Sequence, residues 1–208
     1  MIFNNRKDAG KQLSEKLAQF KGSKTIVLAL PRGGVPVGYE VANRLNLPLE
    51  IIVSRKIGAP LNPELGIGAI SENNSMVIDQ NTVELLNITQ KQIQEIINEQ
   101  KKELERRIKL YRNGRSLPNL SDKSVILVDD GLATGVTAQA AVIALKKQNP
   151  KNIIFAAPVC ARKSANQLKH AVDKIACVFS PHDLQAIGAY YRNFDQLTDE
   201  KVIKLLRN

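Results

Sequence analysis

The sequence predicts an α/β fold: a parallel sheet flanked by helices, with an inserted hood. Three observations predict it. Short apolar runs alternate with segments of helical periodicity, the pattern of βαβ units. Two of those runs end in glycine-containing loops that open a helix. Between the second and third runs the alternation gives way to a long segment of different character.

Residues 8–20 place Ala9, Leu13, Leu17 and Phe20 at helical spacing, and Gly22 stops that helix. Residues 25–30 form a buried strand, and Pro31-Arg32-Gly33-Gly34 leads out of it as a loop. A helix over 36–45 and a strand over 49–53 follow. The stretch up to Gly68 is rich in Gly, Pro and Asn and reads as irregular. Asn73-Asn74-Ser75, between two short apolar runs, reads as the turn of a hairpin.

Residues 89–112 predict a long polar helix. Its narrow stripe (Ile93, Ile96, Ile97, Leu104, Ile108, Tyr111) is interrupted at Gln100, and mixed charges cover a solvated remainder. Strands over 125–128, 153–159 and 174–179 alternate with helices over 137–148 and 164–171. A short helix over 199–206 closes the chain. The expected organisation is a single domain, 1–208, with residues 58–114 as the hood over the sheet edge.

Thirty Lys and Arg against twenty Asp and Glu give a net charge of +10, which suits a polyanionic partner. A phosphorylated metabolite and a nucleic acid both fit. Aromatic residues make up only 4 % of the chain and tryptophan is absent, which disfavours a base-stacking platform for single strands. No apolar run approaches membrane-spanning length, and the N-terminus lacks a signal peptide's apolar stretch, so a cytoplasmic location is expected. The two cysteines, Cys160 and Cys177, sit in apolar runs and read as small buried hydrophobes.

The chemistry concentrates in Val125-Ile126-Leu127-Val128-Asp129-Asp130-Gly131-Leu132-Ala133-Thr134-Gly135-Val136-Thr137. This segment leaves the C-terminal end of a strand and opens a helix, the place where ligands bind in open α/β sheets. A helix N-terminus offers backbone N–H groups and a positive dipole end to an anion. Gly131 and Gly135 permit close approach, and Thr134 and Thr137 add hydroxyls. Two carboxylates beside a phosphate make sense if the ligand also carries hydroxyls or a divalent cation. Asp129 and Asp130 can then accept from the 2′ and 3′ hydroxyls of a ribose whose 5′-phosphate sits in the loop. The pattern lacks the Gly-Lys-Ser/Thr of a Walker loop and is not Gly-x-Gly-x-x-Gly.

Residues 125–137 resemble the PRPP signature of the type I phosphoribosyltransferases. The resemblance implies that family's parallel sheet with a hood. It gives Asp129 and Asp130 the ribose hydroxyls and the catalytic positions. It gives Gly131, Leu132, Ala133, Thr134, Gly135, Val136 and Thr137 the 5′-phosphate. Arg32, Gly33 and Gly34 resemble the family's pyrophosphate loop, and Arg55 and Lys56 resemble a pair that adds to it. Residues 55–69, with Leu30-Pro31-Arg32-Gly33-Gly34-Val35-Pro36 and Ile187-Gly188-Ala189-Tyr190-Tyr191-Arg192-Asn193-Phe194, are similar to a bacterial and archaeal group of phosphoribosyltransferases without an assigned acceptor.

The implied reaction moves the 5-phosphoribosyl group from PRPP to a base or amine and releases pyrophosphate, a step of nucleotide metabolism. Mg2+ is implied mainly through PRPP itself, with Asp129 or Asp130 as protein ligands. The alternatives are a PRPP-sensing regulator or nucleic-acid-binding module of the same fold, and a hydrolase or phosphorylase-like enzyme. A homodimer is compatible with the resemblance. Glu64 and Glu72 are hood carboxylates for metal, acid–base or structural roles. Tyr190, Tyr191 and Phe194 are expected either to stack on a base or to pack internally.

Overall fold

The computed structural model describes residues 2–207, apart from the side chain of residue 64. Its main sheet has five parallel strands in the order β2-β1-β6-β7-β8. These are β1 (Thr25–Ala29), β2 (Leu49–Ile51), β6 (Ser124–Val128), β7 (Asn152–Val159) and β8 (Lys174–Phe179). The helices between them are α2 (Gly34–Leu45), α5 (Val136–Lys146) and α6 (Arg162–Leu168); α1 (Arg6–Lys16) precedes the sheet and α7 (Asp199–Leu206) closes the chain.

The two-residue period of a strand sorts the core. Ile26 and Leu28 of β1, Val125 and Leu127 of β6, and Ile153 and Phe155 of β7 join the α5 and α6 side. Val27, Ile126, Val128, Ile154 and Ala156, one residue out of step, pack with Leu13, Val37 and Val41 of α1 and α2. Because both faces are covered, the strands are apolar throughout rather than alternating, as a parallel sheet requires.

The hood departs from the sequence expectation in two places. The Gly- and Pro-containing stretch up to Gly68 is not irregular. It is a hairpin of β3 (Ser54–Ala59) and β4 (Asn62–Ser71), and with β5 (Ser75–Ile78) it makes a three-stranded antiparallel sheet. Register shifts around Gly58 absorb the residues that broke the alternating pattern. A Cβ at Gly58 would lie 2.3 Å from the Pro63 carbonyl oxygen, so glycine is needed for the strands to approach. The short helix α3 (Gln80–Leu85) follows, a segment without a strong enough apolar stripe to be read in advance.

The long helix α4 (Gln90–Arg112) matches its prediction, and Thr89 caps it in a reciprocal bond with Gln92. The antiparallel sheet packs against α5 and α4. Its core runs into Ile51 and Val53 at the edge of the main sheet and into Val202 of α7. Among the described residues, no helix is long and apolar enough to cross a membrane. Cys160 is buried, Cys177 is half-buried, and both are free thiols.

The packing makes a contrast testable. Phe155 is fully buried in the main core, whereas Leu61 at the hairpin tip is 99 % exposed. Phe155→Ala should cost ~3–5 kcal/mol in urea denaturation, and Leu61→Ala should stay within ~0.5 kcal/mol of the parent.

Candidate functional site

Two helix-opening loops meet at the C-terminal ends of β1 and β6. The first runs through Pro31-Arg32-Gly33 into α2, and its Pro31–Arg32 peptide is cis. Gly34 N–H donates to the Leu30 carbonyl, and Leu30 N–H donates to the Val128 carbonyl, which ties this loop to the second one. A Cβ at Gly34 would lie 2.6 Å from the Val128 carbonyl oxygen, and one at Gly33 would lie 2.0 Å from Asp130 Oδ2. Only glycine lets the first loop sit against Asp129 and Asp130.

The second loop, Asp129 to Gly135, curls around a cavity of 120 Å3 lined by Asp129, residues 131–135, Thr137 and Ala138. Its middle is pinned from behind. Leu132 N–H donates to the Val159 carbonyl, Ala161 N–H donates to the Leu132 carbonyl, and the Ser164 hydroxyl donates to the Ala133 carbonyl. Gly135 sits at φ +82°, a left-handed turn that aims the first N–H groups of α5 along the loop. Ala133 and Thr134 are exposed there, so a phosphate-sized anion has access to the N-terminus of α5.

The aspartates are braced by the two ends of the chain, a feature absent from the sequence reading. Arg6 Nε donates to Asp130 Oδ2 at 2.8 Å, and the Arg6 guanidinium lies 3.8 Å from the centre of the Phe194 ring. The Tyr191 hydroxyl donates to the Asp130 carbonyl, while Ile187 packs where a side chain at Gly131 would go. Tyr191 also packs on Phe3 and Phe194, and Tyr190 on Phe179, so internal packing accounts for all three candidate stacking rings. Burial and then the neighbouring Asp130 charge raise the Asp129 carboxyl well above the usual carboxylate range.

Arg55 and Lys56, adjacent on β3, point to opposite faces of its hairpin. Arg55 Nε donates to Gln100 Oε1 of α4, which accounts for the polar break in that helix's stripe. Burial and then the Arg107 charge lower the Arg55 guanidinium's pKa, Glu103 opposes this, and Arg32 and Arg106 add to it. The Lys56 side chain instead runs beside Gly66, which faces Val136 at the start of α5. Arg55 therefore belongs with the Arg32 loop, and Lys56 lies near the second loop.

Arg106 and Arg107 were read as part of a solvated face, yet Arg107 is buried. The available signal was position: Arg107 lies on the stripe, three residues after Leu104 and four before Tyr111. Glu103 accepts from Arg106 and Arg107 at 2.6 Å and 2.7 Å. Asp199, at the start of α7, bridges Arg106 at 3.2 Å and Arg32 at 3.6 Å, and accepts from the Tyr111 hydroxyl. Burial works to raise the Asp199 carboxyl, but the bonds from Tyr111 and Arg106 outweigh it and hold it low. Four guanidiniums thus surround two carboxylates beside the first loop, leaving net positive charge for an anion.

Glu72 pairs with Arg112 inside the hood and accepts from Val53 N–H, a structural role. Glu64, the other hood carboxylate singled out from sequence, lies outside the described residues in its side chain. Among the described residues no group of three or more His, Cys, Asp or Glu could hold a metal ion.

The phosphoribosyl transferase domain matches residues 1–191 of the chain. A Mycobacterium tuberculosis (strain H37Rv) relative, "Putative phosphoribosyl transferase Rv0571c", is 37 % identical over 205 residues, which is 99 % of this chain and 46 % of the relative. The chain thus spans about half the length of this curated relative. The crystal structure of TT1426 from Thermus thermophilus superposes with a TM-score of 0.81 at 35 % identity, covering 99 % of this chain and 98 % of the other. A hypoxanthine phosphoribosyltransferase from Staphylococcus aureus shares the fold at a TM-score of 0.51 and 10 % identity, covering 88 % of this chain and 78 % of that one.

Two outcomes follow from the geometry. Gly34→Ala should cost ~1–3 kcal/mol in urea denaturation, because the Val128 backbone cannot retreat. The Arg106 hydrogen bond, joined by Arg107 against the cost of burial, pulls Glu103 down to about 2. A depressed carboxylate contributes stability above its unfolded pKa of about 4.3 that is lost as pH falls towards its folded value. Glu103→Gln should remove that part of the acid sensitivity, on the order of 1 kcal/mol for this partly exposed group, when urea midpoints at pH 7 and pH 3 are compared.

Proposed function

Because the chain belongs to the phosphoribosyl transferase domain family, we propose that it binds PRPP across its two glycine loops and transfers the 5-phosphoribosyl group to a base or amine. The observation that carries this reading is the closeness of the loops. With Gly33 packed on Asp130, the N-termini of α2 and α5 flank the same two aspartates. A single ligand bearing a phosphate at one end and a pyrophosphate at the other matches that spacing. A lone phosphate would need only one loop.

The 5′-phosphate takes the N-terminus of α5, with backbone N–H groups of residues 133–137 and the hydroxyls of Thr134 and Thr137 as donors. Lys56 adds charge on that side. The pyrophosphate takes the loop of Arg32, Gly33 and Gly34, where Arg55 and the α4 arginines lend positive charge as negative charge grows on the leaving group. The ribose lies between, its hydroxyls donating to Asp129 and Asp130. The acceptor nitrogen forms a bond to C1, the C1–oxygen bond to pyrophosphate breaks, and the acceptor proton passes to Asp129. A carboxyl raised by burial and by a neighbouring charge is suited to accept it.

Asp129 and Asp130 present a carboxylate edge and no full cage, a donor set that fits a Mg2+ ion held chiefly by oxygens of PRPP. Mg2+ bound there supplies charge neutralisation on the pyrophosphate. Arg6 holds Asp130 in place, and the Arg6–Phe194 contact ties the chain ends to that task.

Replacing both Asp129 and Asp130 with Ala should abolish PRPP binding in calorimetry with Mg2+, and retained binding rules out the site. With the intact protein, pyrophosphate release in a screen of purine, pyrimidine and amine acceptors identifies the transferase. Tight PRPP binding without release under every acceptor supports a sensor instead.

A further inference from the structure

We propose a second small-molecule site at the base of the hood, for an organic oxyanion with an apolar body. A cavity of 370 Å3 lies between the β4–β5 turn, α4 and residues 114–117. That volume is within the ordinary range of ligand pockets. Its lining shares no residue with the phosphate loop.

Two donors in its wall are unsatisfied. Arg112 is 1 % exposed; its Nη2 pairs with Glu72, but Nε and Nη1 have no hydrogen-bond partner. Ser75 Oγ is likewise buried and without a partner. Leaving such buried groups unpaired is costly, more so for a charged one, so acceptor oxygens are what this wall asks for. Arg112 also borders a wider cavity toward α7; the hood-base cavity is the one with both Arg112 and Ser75 in its lining.

The rest of the lining sets the ligand class. Ile70, Leu104, Ile108 and Leu117 give apolar surface for a ring or chain. The Glu72 charge is already matched by Arg112. Lys101 and Arg115 against Glu105 then leave one positive charge, suited to a carboxylate or a phosphate monoester.

The site is separate from the proposed transfer chemistry and does not depend on it. Asn73, in its wall, accepts from Lys147 Nζ just past the C-terminal end of α5, while the phosphate loop is at the other end of that helix. An 11-residue helix separates the two by about 16 Å. A ligand here is an effector, not the acceptor. Residues 101, 104, 108 and 112 of α4 face it, and residues 103, 107 and 111 of the same helix carry the arginine cluster near Arg32.

Calorimetry of the intact protein with benzoate, phenyl phosphate, benzyl alcohol and inorganic phosphate tests this. Benzoate or phenyl phosphate should bind, with benzyl alcohol and inorganic phosphate weaker by roughly tenfold or more. Ile108→Trp, which fills the cavity from a half-buried position, should weaken that binding by a similar factor. So should the double variant E72Q/R112M, which removes the buried pair together and leaves no lone charge. Absence of binding by both oxyanions at millimolar concentration overturns the proposal. So does binding unchanged in Ile108→Trp, which for phenyl phosphate would place it in the phosphate loop instead.

Discussion

The contact between Gly34 and the Val128–Asp129 backbone sets the distance between the two halves of the molecule's candidate site. A side chain at that position would meet backbone 2.6 Å away, and one at Gly33 would meet the Asp130 carboxylate. Without side chains there, α2 starts where β6 ends. Two helix N-termini then converge on one pair of carboxylates, and positive ends of helices favour anions on both sides of it. The parallel sheet supplies the platform, since β1 and β6 are neighbours in register and both loops leave the same edge.

Such a site concentrates charge that has to be balanced in the absence of ligand. The chain does so with its own ends. Arg6, from the first helix, occupies Asp130, and Asp199, from the last, spans Arg32 and Arg106. The same side chains hold the geometry: Arg6 stacks on Phe194, and Tyr111 donates to Asp199. The two terminal segments therefore do for the site what a hydrogen-bonded supporting shell does for any preorganised site, fixing the groups that touch the ligand. The hood contributes from the other side, where burial and then the Arg107 charge lower the Arg55 guanidinium's pKa.

Most of the fold was legible because its signals are local. Apolar runs such as residues 125–128 mark buried strands, and the stripe from Ile93 to Tyr111 marks α4. The aspartate loop was legible for the same reason: its donors, glycines and carboxylates are contiguous. What escaped was long-range. Arg6 meets Asp130, and Asp199 meets Arg32, across most of the chain, and no spacing rule connects them. Residues 55–68 were misread because glycine and proline, ordinarily breakers, here serve a tight, shifted hairpin pairing. Arg107 was misread because charge was weighed above position. Arg55 and Lys56 look like one pair in sequence, but strand alternation divides them between two faces.

A crystal structure of the protein with PRPP and Mg2+ tests the central claim directly. The account predicts the 5′-phosphate at the N-terminus of α5, the pyrophosphate against Arg32, Gly33 and Gly34, and the ribose hydroxyls on Asp129 and Asp130. Pyrophosphate density away from the Arg32 loop, or a ribose that does not touch either aspartate, would contradict it.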